Sequence, residues 1–180
     1  GKLVEHMKKK DQYDNTLILF LTDNGGCAEG GTLGGKTDPF DLEKWEATYG
    51  AGPSYGGNWA NASNTPFQKF KHYTHEGGIS TPLVAHWPEG IKRSGSLVSD
   101  QAYLPDLMPT FISLAKAKYP SNYRGNEIRP LTGVSLKTIF EGKSLKRKDP
   151  LYIEHEDNAA LIQGDWKLVG TKASVFDGPD

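Results

Sequence analysis

The apolar positions of this chain change their spacing several times, and each change marks an element. Leu3, Val4 and Met7 recur at helical intervals, and Lys8, Lys9 and Lys10 follow where a helix carboxyl end favours cations. That spacing predicts a helix over residues 1–10. Residues 17–21, Leu-Ile-Leu-Phe-Leu, form an unbroken apolar run without alternation, the pattern of a strand buried on both faces as in a parallel sheet. Residues 81–87 are strand-like and stop at Pro88. Over residues 102–118, Leu104, Leu107, Met108, Phe111, Ile112, Leu114 and Ala115 make the wide apolar stripe of an amphipathic helix. Pro105 suits its first turn, and Pro109 kinks it or ends an initial turn. Residues 134–140 predict a short helix closed by Gly142. Near the end the period becomes that of strands, at 151–153, 159–163 and 166–169, with Gly164-Asp165 as a hairpin turn between the last two.

Three stretches lack such periodicity. Residues 119–130 read as loop, and residues 143–148 as a basic, solvated turn. Residues 27–68 are polar and glycine-rich, yet carry Phe40, Trp45, Tyr49, Tyr55 and Trp59, and plain disorder is poor in aromatics. They read as an ordered insertion over the strand ends, with a short helix at 41–49. The α/β part is therefore expected to cover residues 1–145, including this insertion, and a small antiparallel subdomain to begin at 146–180.

Composition narrows the class. Of 180 residues, 36% are apolar and 24% charged, which suits one ordinary soluble domain. The formal net charge of −1 gives no global field for nucleic acid. No apolar run is long enough to span a membrane, and no signal peptide is visible. The lone cysteine, Cys27, excludes an internal disulfide and any multi-cysteine zinc site, and reads as a plain loop thiol. A helix feeding a buried strand at the very start leads us to expect a chain cut from something larger.

The chemistry gathers at two places. Asp23 and Asn24 follow the first strand directly, and ligands of open α/β sheets bind beyond the carboxyl ends of strands. A carboxylate and a carboxamide are hard oxygen donors suited to Ca²⁺ or Mg²⁺, and Gly25-Gly26 let the backbone turn and approach an ion. The same residue types also make an ordinary turn. The second place is residues 69–78, where Lys71 offers a compact positive charge and His72 and His75 can move protons or bind metal. As an alternative, these are polar groups of a connector. His155, Glu156, Asp157 and Asn158 lie between two tail strands and either face a cleft or cap a turn. Gly30-x-x-x-x-Gly35-Lys36-Thr37 matches a phosphate loop formally, but the preceding strand ends at Leu21 or Thr22, too early for it, and Pro39 restrains Asp38 from the helical region. Asn61-Ala62-Ser63 is a glycosylation sequon, relevant only in a eukaryotic secretory host.

Taken in order, the motifs resemble the sulfatase family. Asn15-Thr16, an apolar strand and Thr22-Asp23-Asn24-Gly25 carry the resemblance first. Lys71 five residues before Glu76-Gly77-Gly78, with Pro82 and Trp87-Pro88 after it, carries it further. Trp59 to Phe67, Asp106-Leu107-Met108-Pro109-Thr110, Pro130-Leu131-Thr132-Gly133, Ser135-Leu136 and Gly164-Asp165-Trp166-Lys167-Leu168-Val169 extend it over nearly the whole chain. The resemblance implies part of an alkaline-phosphatase-like α/β fold and a calcium-dependent sulfuric ester hydrolase. It implies that Asp23 and Asn24 are two of the calcium ligands, and that Lys71 contacts the substrate sulfate. His72, His75, Trp59, Asn61 and His155 are candidate substrate-binding groups. The implied partner is a sulfated small molecule or glycan, and the family expectation for location is periplasmic or secreted.

The chain departs from the family pattern. The formylglycine motif is absent, since Cys27 is followed by Ala28-Glu29-Gly30, and so are the early aspartate pair and the upstream sulfate-binding residues. The chain is thus expected to be the carboxy-terminal part of a sulfatase that needs its N-terminal part, and to be inactive alone. Two other classes stay open: a metal-dependent phosphoesterase of the same superfamily, and a non-catalytic, calcium-assisted glycan-binding module.

Overall fold

The computed structural model describes residues 1–34 and 56–172. Five α-helices and seven strands occur among them: α1 (Lys2–Lys9), β1 (Ile18–Leu21), α2 (Gly56–Ser63), α3 (Glu76–Ile79), β2 (Leu83–His86), α4 (Leu107–Leu114), β3 (Asn122–Tyr123), β4 (Asn126–Glu127), α5 (Lys137–Phe140), β5 (Leu151–His155), β6 (Asn158–Gln163) and β7 (Trp166–Gly170). β1 and β2 are neighbours in a two-stranded sheet. The chain divides into two compact units, Gly1–Leu19 with Ala85–Lys148, and Phe20–Val84 with Asp149–Asp180. The tail sheet thus belongs to the same unit as residues 20–84.

β1 departs from the expectation of a strand buried on both faces. Its residues run from half-buried to exposed, and Phe20 is 70% exposed. An apolar run states that a strand can be covered, not that cover is at hand. Among the described residues the sheet has two strands only.

In the first unit, the amphipathic segment is shorter than residues 102–118. A 3-10 turn at Leu104–Asp106, with proline in its first positions, leads into α4, which ends at Leu114. Leu104, Met108 and Phe111 remain largely exposed. What fixes this element is polar. Asp106 is fully buried and accepts hydrogen bonds from the backbone N–H of Tyr103 (3.0 Å) and of Val134 (2.8 Å). Arg147 closes an ion pair with it at 2.5 Å and lies over the Tyr103 ring. One turn on, buried Thr110 donates to the Asp106 carbonyl and accepts from the Leu136 N–H (2.8 Å). Gly133 permits the approach, since a Cβ there would overlap the Pro105 carbonyl oxygen. The loop expected at 119–130 contains the small β3–β4 hairpin, and Gly142 closes α5 with φ +79° as expected.

The second unit holds an antiparallel three-stranded sheet, β5-β6-β7, in the expected order. Gly164-Asp165 makes one of its two-residue turns, and Glu156-Asp157 makes the other between the paired residues His155 and Asn158. Its core gathers Ala28, Ala60, Phe70 and Tyr73. Ala60 lies on α2, a helix that the sequence reading left as insertion loop. Gly and Asn are weak helix formers, so packing of Ala60 rather than propensity holds this segment. The helix expected at 41–49 and the Gly35-Lys36-Thr37 end of the phosphate-loop match lie outside the described residues.

Asp106 supports a test. Asp106→Ala would leave the half-buried Arg147 unpaired and two N–H groups without an acceptor. The expected loss is about 3 kcal/mol or more of unfolding free energy in urea titrations, whereas Leu104→Ala, on an exposed side chain, should change it little.

Candidate functional site

The second unit brings two loops together through their backbones. The Gly25 N–H donates to the Gly78 carbonyl at 3.0 Å, and the Lys71 N–H donates to the Gly26 carbonyl at 3.1 Å. A Cβ on Gly25 would overlap the Gly77 carbonyl oxygen. The glycine is thus explained by backbone meeting backbone, where the sequence suggested approach to an ion. Gly77 and Gly78 are equally constrained, against the carbonyls of Lys69 and Tyr73. The Asn64 side chain rivets the arrangement. Its Oδ1 accepts from the Gly26 N–H (3.2 Å), and its Nδ2 donates to the carbonyls of Lys69 (3.0 Å) and Gly77 (2.9 Å).

Asp23 and Asn24 sit at the mouth of this junction. They line a cleft of about 450 Å³ together with Thr22, Cys27, Ser63 and Thr81. Asp23 is exposed and Asn24 half-buried. The Asn24 amide NH₂ donates to the Gly25 carbonyl at 2.8 Å, which leaves Oδ1 as its ligand-capable atom.

Lys71 is one member of a polar chain. Its Nζ bonds Glu29 Oε1 at 2.5 Å, and the same oxygen lies 3.3 Å from His72 Nε2. On the other side of the ring, His72 Nδ1 is 2.8 Å from Glu156 Oε2, and His155 Nε2 is 3.8 Å from Glu156 Oε1. The His72 and His155 rings stack at 5.9 Å. Burial opposes ionisation of Glu29, but hydrogen bonds from Cys27 and Lys71 overcome it and hold the carboxyl at about 2. The hydrogen bond to Glu29 in turn raises the Lys71 ammonium above its usual range; partial burial opposes this, and the charges of Glu29, Cys27 and Asp23 assist. Lys71 is therefore charged at neutral pH and within electrostatic reach of Asp23.

Of the residues singled out by sequence, the structure assembles Lys71, His72 and His155 into this chain, and lines one cleft with Asp23 and Asn24. His75 caps α3, accepts at its carbonyl from the N–H groups of Gly78 (2.9 Å) and Ile79 (3.2 Å), and sets its ring edge-on to Tyr73. Trp59, 62% exposed, and Asn61, also exposed, lie on α2 and line neither the cleft nor the chain. Sequence reasoning missed Glu29 and Asn64. Glu29 had a signal, as the first carboxylate after Asp23. Asn64 had none, because its value lies in three backbone partners that only the fold supplies.

The Glu29 carboxyl gives a pH test. Its folded value of about 2 lies below its ordinary 4.5, so its stabilisation is full above the ordinary value and is lost as pH falls toward 2. Glu29→Gln removes that dependence. Urea midpoints of the parent chain should fall more steeply between pH 5 and pH 3 than those of the variant; parallel profiles would contradict the assignment.

Comparison with known proteins fits this geometry into a family. A family model described as Sulfatase matches residues 1–117. An arylsulfatase of Klebsiella aerogenes is 32% identical over 158 residues, covering 84% of this chain and 34% of that protein. Arylsulfatase G of Rattus norvegicus is 32% identical over 144 residues (78% of this chain, 22% of that protein). Human N-acetylgalactosamine-6-sulfatase is 28% identical over 148 residues (82% and 22%). The chain thus spans about a third or less of the length of these relatives. With the family model matching well over half its length, the chain belongs to the sulfatase family.

Proposed function

We propose that this chain is part of an enzyme that hydrolyses an aryl or carbohydrate sulfate ester, with a formylglycine nucleophile carried by a segment outside these 180 residues. The observation that supports it best is a charged lysine within electrostatic reach of an exposed carboxylate, in a chain of sulfatase sequence. The names of the relatives, arylsulfatase and N-acetylgalactosamine-6-sulfatase, support the substrate class.

Sulfatases generally bind a metal ion. Asp23 and Asn24 fit a hard divalent cation such as Ca²⁺: one carboxylate and one amide oxygen, neighbours in sequence, open to a cleft. Two donors fall short of the six to eight that Ca²⁺ takes, so other segments supply the rest. Bound there, the ion would neutralise negative charge on the sulfate.

The remaining work falls to the chain's own side chains. Lys71 binds a sulfate oxygen and stabilises charge as the ester bond breaks. To do so it shares or exchanges Glu29, so an incoming sulfate competes with that carboxylate for the amine. His72 lies one residue away and is oriented by Glu29 and Glu156. His75 shapes the loop through its carbonyl. Trp59 and Asn61 lie outside the cleft and would meet only the far organic part of an extended ester, whereas His155 offers a further donor. An exported location, periplasmic or secreted, belongs to the same proposal. No helix among the described residues is long and apolar enough to cross a membrane.

The test uses para-nitrophenyl sulfate and a sulfated sugar with the complete enzyme. Lys71→Ala should lower kcat/KM by about 10²–10³, and Asp23→Ala should abolish the calcium requirement together with activity. The 180-residue chain alone should release no sulfate. Turnover by the chain alone, or an undiminished Lys71→Ala enzyme, would refute the assignment.

A further inference from the structure

We propose that His72, His155 and Glu156 form a binding site for a divalent transition-metal ion of the zinc type, chemically distinct from the oxygen donors at Asp23 and Asn24. One ligand atom from each of the three lies within 4.8 Å of the others. Ligand bonds of about 2.1 Å in a tetrahedral site set donors about 3.4 Å apart. The contacts at 2.8 Å and 3.8 Å already straddle that spacing, so small side-chain rotations suffice to seat an ion.

The second argument is the surroundings of His72. Glu29 Oε1 takes one ring nitrogen, Nε2, at 3.3 Å. Nδ1, on the other side of the ring, lies 2.8 Å from Glu156 Oε2, so the imidazole already turns one nitrogen to Glu29 and the other to the second ligand. Carboxylate, histidine and metal in line is the arrangement by which outer groups orient a ligating imidazole. Two imidazoles and a carboxylate suit Zn²⁺, Co²⁺ or Ni²⁺, where Ca²⁺ prefers oxygen throughout.

The backbone is also set for it. Glu156 (φ +52°) and Asp157 (φ +65°) occupy the two-residue turn between β5 and β6, and His72 has φ +82°. Such turns favour Asn-Gly, and left-handed backbone disfavours residues with a Cβ. Strained positions of this kind gather at ligand sites. The Asn158 amide donates to the His72 carbonyl at 3.2 Å and holds the loop against the turn. His155 and Glu156 are more than half exposed, so the ion keeps a position open to water or an anion.

The proposal stands apart from the sulfatase reading, and its test needs no turnover. Chelator-treated full chain is titrated with Zn²⁺ by calorimetry and with Co²⁺ by visible absorption. One saturable equivalent is expected, with Co²⁺ bands of a nitrogen- and oxygen-ligated site and no displacement by Ca²⁺. His155→Ala and Glu156→Gln, both on exposed side chains and checked by circular dichroism, should abolish it. Glu29→Gln should weaken it about 10–100-fold. Cys27→Ser should leave it unchanged; loss there would assign the ion to the thiol and overturn the proposal. Absence of saturable Zn²⁺ binding would also overturn it. Binding that survives both His155→Ala and Glu156→Gln would do the same.

Discussion

The candidate site rests on the close approach of two backbones, Gly25-Gly26 against Lys69 to Gly78. Side chains cannot hold an oxygen donor and an ammonium at a fixed spacing when they grow from loops that drift. Here the loops are joined by N–H to carbonyl bonds at Gly25 and Lys71, and by the three bonds of Asn64. Only residues without a Cβ fit at the crossing. A methyl group at Gly25 would part the loops and move Asp23 away from Lys71, with neither of those residues touched.

On that frame, one carboxylate governs the chemistry. Glu29 bonds the Lys71 ammonium, raising it further above its ordinary range, and contacts the His72 ring. Its opposition by burial and rescue by hydrogen bonds describe a group that is ionised because its neighbours require it. The arrangement also restrains Lys71. Any anion that approached this amine would compete with Glu29 for it.

The sequence announced much of this, unevenly. The order of the tail strands and the Gly164-Asp165 turn were legible because period-two patterning and turn chemistry are local. The Asp23-Asn24 pair and Lys71 stood out as chemistry and through the family's motifs, and the structure joins the loops that carry them. The burial of β1 was misread, because an apolar run carries no information about what covers it. α2 was missed because its helix is imposed by the packing of Ala60 against Ala28, Phe70 and Tyr73. The Asp106 to Thr110 and Gly133 to Leu136 motifs were recognised as a pattern without a reason. The structure supplies one: two polar side chains satisfy the backbone of the second motif.

The split of the second unit along the chain has a consequence for biogenesis. His72 meets Glu156 across 84 residues of sequence, and most of the intervening chain belongs to the other unit. Closing so long a loop adds little to its entropy, which grows only with the logarithm of length, but it delays the encounter. On a ribosome that delivers the amino-terminal part first, the Lys71 loop emerges early and waits for Glu156. It acquires its final electrostatic surroundings only after the hairpin beyond residue 150 has been translated. A nascent chain arrested before that point would carry the lysine with Glu29, but the histidine without Glu156.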